Sequence, residues 1–318
     1  MPITPTKFIW MNGKAIPWDQ AQVHVLTHAL HYASCVFEGM RCYETARGPA
    51  VFRLKDHIQR LAESSRIYRM DLPYSEAELA RATLELIAAN DHEACYVRPL
   101  VFRGYGEMGV NPLRNPVEVV IATWSWGSYL GDNALDRGVE ACVSSWQRMA
   151  PNTFPPRAKS AANYMNSQLI KMEAIVNGFA EGIALDVHGY VCEGSGENVF
   201  LVKAGELWTP PAASAILHGV TRDTVMTLAR EAGLAVREEL VPREMLYVAD
   251  ELFFTGSASE ITPIASVDRI PIGSGRPGPI TQRLQERFFA VVRGEVEDRH
   301  GWLAWVTPAR AAARSMKR

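Results

Sequence analysis

The stretch FRGYGEMGVNP, residues 102 to 112, holds Gly104, Gly106 and Gly109 in the order G-x-G-x-x-G, the spelling of a dinucleotide-binding turn. Such a turn needs a strand before the glycines, a helix that starts within them, and an acidic residue ~20 positions on. A strand does precede, but Pro112 and Pro116 follow and break any helix. Without a helix N-terminus there is no dipole and no row of free N–H groups for a pyrophosphate. The glycines therefore mark a tight loop at a strand end. His24, His28 and His31 would stack on a helix as metal ligands do, yet no H-E-x-x-H and no carboxylate in register completes a site, so a structural role is expected. Neither a G-x-S-x-G elbow nor a G-x-x-x-x-G-K-[ST] loop is present, which removes the serine-hydrolase and P-loop readings.

Lysine is more informative. Of 33 basic residues only Lys7, Lys14, Lys55, Lys159, Lys171, Lys203 and Lys317 are lysine, and most sit at hairpins, helix starts or the tail. Lys159 lies in APNTFPPRAKSAANYMNSQLI, after prolines and among Ala158, Ser160, Ala161 and Ala162. An amine on a fixed approach with small neighbours has room for a bulky adduct. Taken alone, the pattern still favours a surface lysine.

The elements that must position these residues come from an ordinary globular composition: 318 residues, 47% apolar, 21% charged, net charge −2. That balance recruits neither nucleic acid nor an anionic membrane. The start MPITPTKFIW does not read as a secretory signal, and no apolar run approaches the ~20 residues that span a bilayer. Cys35, Cys42, Cys95, Cys142 and Cys192 are scattered and odd in number, as expected of reduced thiols in the cytoplasm. Asn12-Gly13 between apolar runs predicts a hairpin. Residues 55 to 69 place Ile58, Leu61, Ala62, Ser65 and Tyr68 on one helical face, and Ser75-x-x-Glu78 opens a capped helix to about residue 90. CYVRPLVFR and VEVVIATW read as strands; in the first, alternation puts Tyr96, Arg98, Leu100 and Phe102 on one face. Further strands (VEACVSSW, GIALDV, YVCE, NVFLV, ELWTP) follow, with helices at about 160 to 178, 221 to 232 and 278 to 294. No regular βαβ beat appears, so a mixed α+β or α/β fold with antiparallel pairing is expected. The domain reading is a small N-terminal domain over 1–127, a turn-rich linker over 128–138, a large domain over 139–306, and a frayed basic tail over 307–318.

After Lys159 come YVCEGSGENVF, LWTP and ILHGVTRD. Glu193, Ser195, Asn198-Val199-Phe200, Leu207 with Thr209, and Leu217-His218-Gly219-Val220-Thr221-Arg222 stand in the order and spacing of the class IV pyridoxal-phosphate aminotransferases. HALHYASCVFEGMRCYE, HIQRLAESSRIYR, YVRPLVFRGYGEMGVNP, WSWGSYLG and SEITPI resemble the branched-chain amino-acid branch of that family over the rest of the chain.

The resemblance implies fold type IV, with two domains and the pyridoxal 5'-phosphate cofactor at their interface. It makes Lys159 the Schiff-base lysine and proton shuttle. It gives the pyridine nitrogen to Glu193, the phenolic oxygen to Tyr164, and the phosphate to Gly219, Val220, Thr221 and Ser257 with Arg60. Glu197, the nearest rival of Glu193, occupies a position that the motif leaves open. Helical periodicity turns Arg60 toward solvent, so only the resemblance keeps it in the cradle. An arginine on the otherwise apolar face of CYVRPLVF is costly unless it meets an anion, and the resemblance assigns Arg98 to the glutamate side-chain carboxylate. The α-carboxylate falls to Ser257, Ala258 and Tyr96, and the apolar wall to Phe37, Trp126 and Tyr129. Tyr32 and Val110 match positions supplied by a partner subunit. That implies a homodimer as the minimum catalytic unit, and leaves open its assembly into a trimer of dimers.

The implied reaction is reversible transfer of the amino group of L-leucine, L-isoleucine or L-valine to 2-oxoglutarate. A D-amino-acid transaminase, an (R)-amine transaminase, an aminodeoxychorismate lyase or a silent cofactor scaffold would share much of this machinery. Arg103, Tyr105, Glu107 and His218 depart from the family pattern and put donor breadth in question.

Overall fold

Asn12 and Gly13 both take positive φ, 48° and 89°, which closes a tight hairpin between β1 (Phe8–Met11) and β2 (Lys14–Pro17) with Met11 opposite Lys14. A computed structural model of the chain describes residues 3–127, 130–131 and 133–306. Tyr129, parts of the expected linker and the 307–318 tail lie outside the described residues. The chain divides into two units: Met1–Trp126 with Ala158–Ala162 and the residues from Ala290 on, and Gly127–Arg157 with Asn163–Phe289.

The first unit continues with α1 (His28–Tyr32), β3 (Cys35–Phe37), β4 (Met40–Tyr43), β5 (Ala50–Phe52), α2 (Leu54–Ile67), α3 (Glu76–Ala89), β6 (Cys95–Arg103) and β7 (Val117–Trp124). Among the described residues its sheet runs from the strand Leu303–Trp305 through β5, β4, β6, β7 and β1 to β2, with β3 also on β6. Every pairing in it is antiparallel. α3 starts with the expected capping box, Ser75 Oγ accepting from Glu78 N–H and the Glu78 carboxylate accepting from Ser75 N–H. Val97 and Val101 of β6 and Val119 and Ile121 of β7 share a core with Ile58 and Leu61 of α2 and Leu79 and Leu86 of α3. Each wholly buried aliphatic side chain there is worth about 2 kcal/mol. That fixes the odd face of β6 inward and leaves Tyr96, Arg98, Leu100 and Phe102 on the opposite face.

The second unit holds α4 (Ala134–Arg137), β8 (Val139–Val143), α5 (Asn163–Val176), β9 (Glu181–Leu185), β10 (Val191–Gly194), β11 (Asn198–Lys203), β12 (Glu206–Thr209) and α6 (Val220–Glu231). Then come β13 (Val236–Glu238), α7 (Met245–Val248), β14 (Glu251–Gly256), β15 (Glu260–Val267), β16 (Ile270–Pro271) and α8 (Pro279–Val292). The path β10-β9-β8-β15-β14-β11 closes on itself, because β10 also pairs with β11. β8 runs parallel to β9 and β15, while the other neighbours in the ring are antiparallel. Ala141, Ile183, Val191, Val199, Leu201, Phe254 and Ile264 fill the core of this unit.

The element pattern thus produces the mixed α+β architecture it predicts. Differences arise where pairing is remote. The expected linker contains α4. Residues 158–162 and those from Ala290 on group with the first unit and not with 139–306. Val36 bridges Ser160, and Leu303–Trp305 pairs with β5; no local periodicity announces either contact.

Candidate active site

In the first unit, Lys159 sits on an extended segment hydrogen-bonded to β3. Phe37 N–H donates to Lys159 O (3.0 Å) and Ala161 N–H to Cys35 O (2.9 Å). Lys159 N–H donates to Ser64 Oγ of α2 at 3.1 Å. Both backbone groups of the lysine are therefore fixed, and its half-buried side chain places Nζ 5.1 Å from the centre of the Phe37 ring. Beside it, Arg60 is not solvated as periodicity predicts. Its side chain is 11% exposed and meets the wholly buried Glu38 through Nε–Oε1 (2.6 Å) and Nη2–Oε2 (2.9 Å). A buried ion pair leaves no mark on apolar spacing, which is why the helical pattern misplaces this residue.

Arg98 projects among aromatic rings, its guanidinium carbon 4.7 Å from the centroid of Phe37, 5.4 Å from Tyr96 and 5.8 Å from Trp124. Ala122 lies opposite it on β7 and leaves room for the side chain. Arg98 Nε is buried without a hydrogen-bond partner among the described residues, an arrangement that costs free energy unless an anion completes it. Trp126 packs edge-on against Tyr96 at 4.3 Å. The apolar wall expected from Phe37 and Trp126 thus gains Trp124, which stands opposite Tyr96 in the β6/β7 register. Gly39 is required here, since a Cβ at that position would fall 1.8 Å from the Tyr96 hydroxyl.

In the second unit, Glu193 lies next to last in β10 with both carboxylate oxygens engaged. Oε1 meets Arg148 Nη2 at 3.0 Å, and Oε2 accepts from Asn198 Nδ2 (3.0 Å) and Leu217 N–H (3.1 Å). Arg148 also donates to the carbonyls of Gly194 and Ser195. No motif or spacing in SSWQRMAPN singles this arginine out. Glu197 differs in kind: burial, with Glu181 adding to it, pushes its carboxyl up to about 8, and its Oε1 is buried without a partner among the described residues. A neutral acid at Glu197 is poorly suited to partner a protonated ring nitrogen, whereas Glu193 is held by a cation and N–H donors.

α6 begins at Val220 behind Gly219, whose position carries no side-chain cap. The first-turn N–H groups of Val220 and Thr221 present donors and the positive end of the helix dipole, which suit an anion. Gly219 has no alternative there, because a Cβ would meet Asn198 Oδ1 at 2.0 Å. Ser257 and Ala258 occupy the turn between β14 and β15, where Thr255 Oγ1 and Ser259 Oγ are buried without a partner among the described residues. Tyr164 lies in the first turn of α5, half-buried. The candidate residues are thus distributed over both units, with Lys159, Arg60 and the Arg98 wall in the first and Glu193, Tyr164, the α6 N-terminus and Ser257 in the second.

The glycine loop after β6 leads to no helix. Gly104 O accepts from His28 N–H, and a Cβ on Gly104 would strike Glu118 Oε1 at 1.9 Å. The histidines are structural: His28 bridges Ser34 Oγ and Gly109 O, and His31 bonds to Val25 O. Arg103, one of the departures that put donor breadth in question, is 4% exposed and tied to Asn115 O and Arg69 O. It belongs to the odd, core-facing side of β6, so it anchors the loop from behind. Tyr105 is exposed and bridges Thr27. Tyr32 is 43% exposed and Val110 88% exposed.

Residues 35–267 match the family model described as amino-transferase class IV. The branched-chain-amino-acid aminotransferase of Salmonella typhimurium is 52% identical over 93% of this chain and 96% of its own. The crystal structure of the Escherichia coli branched-chain amino acid aminotransferase superposes with a TM-score of 0.94 at 50% identity, covering 95% of this chain and 100% of that one. The branched-chain amino acid aminotransferase of Thermobaculum terrenum, in its PLP-bound holo-form, matches with a TM-score of 0.90 at 39% identity, over 95% of this chain and 99% of that one.

Proposed function

The chain belongs to the class IV aminotransferases, and from that premise we propose that it transfers the amino group of L-leucine, L-isoleucine or L-valine reversibly to 2-oxoglutarate. The cofactor is pyridoxal 5'-phosphate, used in alternating aldehyde and amine forms. The branched-chain relatives, at about half identity over nearly the whole chain, do not favour a D-amino-acid, (R)-amine or lyase activity.

The residues present fit the cofactor: an uncapped helix start for a phosphate, buried hydroxyls at Thr255 and Ser259 with no partner among the described residues, and a carboxylate already paired with Arg148. When bound, the group supplies an aldehyde that takes the amino group and a ring that accepts electrons. Lys159 holds the cofactor through Nζ, then moves the proton at the substrate Cα. Glu193, held by Arg148, Asn198 and the Leu217 N–H, meets the protonated ring nitrogen. Tyr164 meets the phenolic oxygen. Val220, Thr221, Gly219 and Ser257, with Arg60, take the phosphate.

The observation that carries the substrate assignment is Arg98. One half-buried guanidinium on an aromatic wall serves both half-reactions, since it pairs with the side-chain carboxylate of glutamate while the rings accept an apolar side chain. Tyr96, Ser257 and Ala258 hold the α-carboxylate, and Phe37, Trp126 and Tyr129 line the side-chain wall.

Val25, Leu30, Tyr32, Met108, Val110 and Leu113 are exposed apolar residues on the α1 segment and the glycine loop, which His28 and Tyr105 join. Such a patch supports self-association, with Tyr32 and Val110 reaching a neighbouring subunit's site in a homodimer. Five buried free cysteines support a cytoplasmic setting. Among the described residues no helix is long and apolar enough to cross a membrane.

A donor panel of L-Leu, L-Ile, L-Val, L-Phe, D-Ala and an (R)-amine with 2-oxoglutarate tests the reading. Turnover with the branched L-donors, a visible absorbance band, and loss of both in Lys159→Ala are expected. Protein that gains no absorbance with pyridoxal phosphate, or uses only D- or (R)-donors, would refute it. Sedimentation of Val110→Asp should show monomers where the wild type shows dimers.

A further inference from the structure

We infer that Glu38 is a positioning residue for the cofactor phosphate, acting by fixing the plane of the Arg60 guanidinium. The inference rests on the proposed contact of Arg60 with that phosphate. Glu38 lies between Phe37 and Gly39, where β3 gives way to β4, and is wholly buried. Its N–H donates to Pro99 O at 2.9 Å, which locks the backbone to β6. Its carboxylate is saturated. Oε1 takes Arg60 Nε at 2.6 Å, and Oε2 takes Arg60 Nη2 at 2.9 Å, His57 Nδ1 at 2.7 Å and its neighbour Gly39 N–H at 3.2 Å. His57 and Arg60 stand three apart on α2, so one carboxylate gathers two donors from the same helical face.

Burying an ion pair of this kind brings little net stability, because desolvation offsets the attraction. A helix that merely needed Arg60 would turn it to solvent, as its periodicity allows. The geometry instead serves orientation. Contact along the Nε–Nη2 edge is bidentate and sets the guanidinium plane as well as its position. The charges hold that contact together. Burial raises the Glu38 carboxyl, but Arg60 and His57 more than cancel that and hold it well below the ordinary carboxylate range. Burial, Arg60 and Lys159 together keep His57 below its ordinary value despite Glu38. Glu38 thus stays ionised against the Arg60 guanidinium and keeps the bidentate contact in place. Phe37 and Gly39, on either side, serve the Lys159–Arg98 wall and the clearance for Tyr96.

The test separates phosphate from ring. Cofactor-stripped wild type, Glu38→Asp, Glu38→Gln and Arg60→Met are titrated with pyridoxal phosphate and with pyridoxal, which lacks the phosphate, following protein fluorescence and absorbance. Glu38→Asp keeps the charge and the fold but withdraws the fork by one methylene. It should weaken pyridoxal phosphate by about tenfold or more and leave pyridoxal within about threefold, the scale of one charge-assisted hydrogen bond. Glu38→Gln should act in the same direction, and Glu38→Asp should add nothing in the Arg60→Met background. Parallel weakening of both ligands with a lowered melting temperature would make Glu38 a core filler and overturn the inference. If Arg60→Met keeps the full preference for the phosphorylated ligand, the Arg60 contact falls and Glu38 with it, while Lys159 is untouched. If Arg60→Met loses the preference and both Glu38 variants keep it, the inference alone falls.

Discussion

Replacing Arg98 by methionine should split the two half-reactions. Methionine keeps the unbranched stem against Phe37, Tyr96 and Trp124 but removes the charge that sits 4.7 to 5.8 Å from those ring centres. A guanidinium facing a carboxylate makes two charge-assisted hydrogen bonds of ~1.5–3 kcal/mol each, against which desolvation must be set. A net loss of about 3 kcal/mol corresponds to roughly a hundredfold in kcat/KM for glutamate. Leucine makes no such bond, and the variant relieves it of a partly desolvated cation, so its kcat/KM should stay within about threefold. Steady-state turnover mixes the two halves. Single-turnover rates with glutamate alone and leucine alone, followed by the absorbance of the bound cofactor, keep them apart. Equal losses for both donors would show that Arg98 orders the wall rather than reads the carboxylate, and would refute the dual-substrate argument.

Other outcomes follow from the same geometry. Glu197 has its carboxyl raised by burial to about 8 from an ordinary 4.5. The folded state therefore holds a proton that the unfolded state releases, and the stabilisation is complete below about pH 4.5 and lost as pH rises through about 8. Glu197→Gln should flatten the fall in melting temperature across that window, and an unchanged slope would place the titration elsewhere. Arg103→Ala should cost about 1–3 kcal/mol by stranding the carbonyls of Asn115 and Arg69. Calorimetry reads that loss, and the Leu-to-Phe rate ratio should not move; a shifted ratio at unchanged stability would contradict the anchoring role. Gly39→Ala puts a Cβ 1.8 Å from the Tyr96 hydroxyl. It should raise KM for donors with the fold intact and cost nothing further when added to Tyr96→Ala.

Where the physics is local, the chain can be read directly. Asn12-Gly13 closes its hairpin, Ser75 and Glu78 make their capping box, and the alternation of CYVRPLVFR divides Val97 and Val101 from Tyr96 and Arg98. The helix start after Gly219 is equally visible, because an uncapped first turn is a local property. What escapes is pairing across long separations. Arg148 meets Glu193 from a segment with no periodic pattern. Glu38 rescues Arg60 from the solvent side of its helix. Arg103 sits on the buried side of a strand where a charge is unexpected, its two terminal nitrogens held by carbonyls. In each case a polar group is buried because its partner is already in place, and composition windows average that partner away.

The bridge between Val36 and Ser160 and the edge strand Leu303–Trp305 carry a consequence for the order of synthesis. A chain leaving the ribosome from its N-terminus presents β1 to β7 early, yet that sheet lacks the segment carrying the lysine until residue 160 has emerged. Its β5 edge stays open until residues 303–305 follow. β5 waits through most of translation with an unpaired edge, and the backbone of β3 waits for Lys159. A fragment ending at residue 127 should therefore be protease-sensitive around residues 35–52 even if α2 and α3 have docked. That sheet is complete only when residues 303–305 have paired with β5.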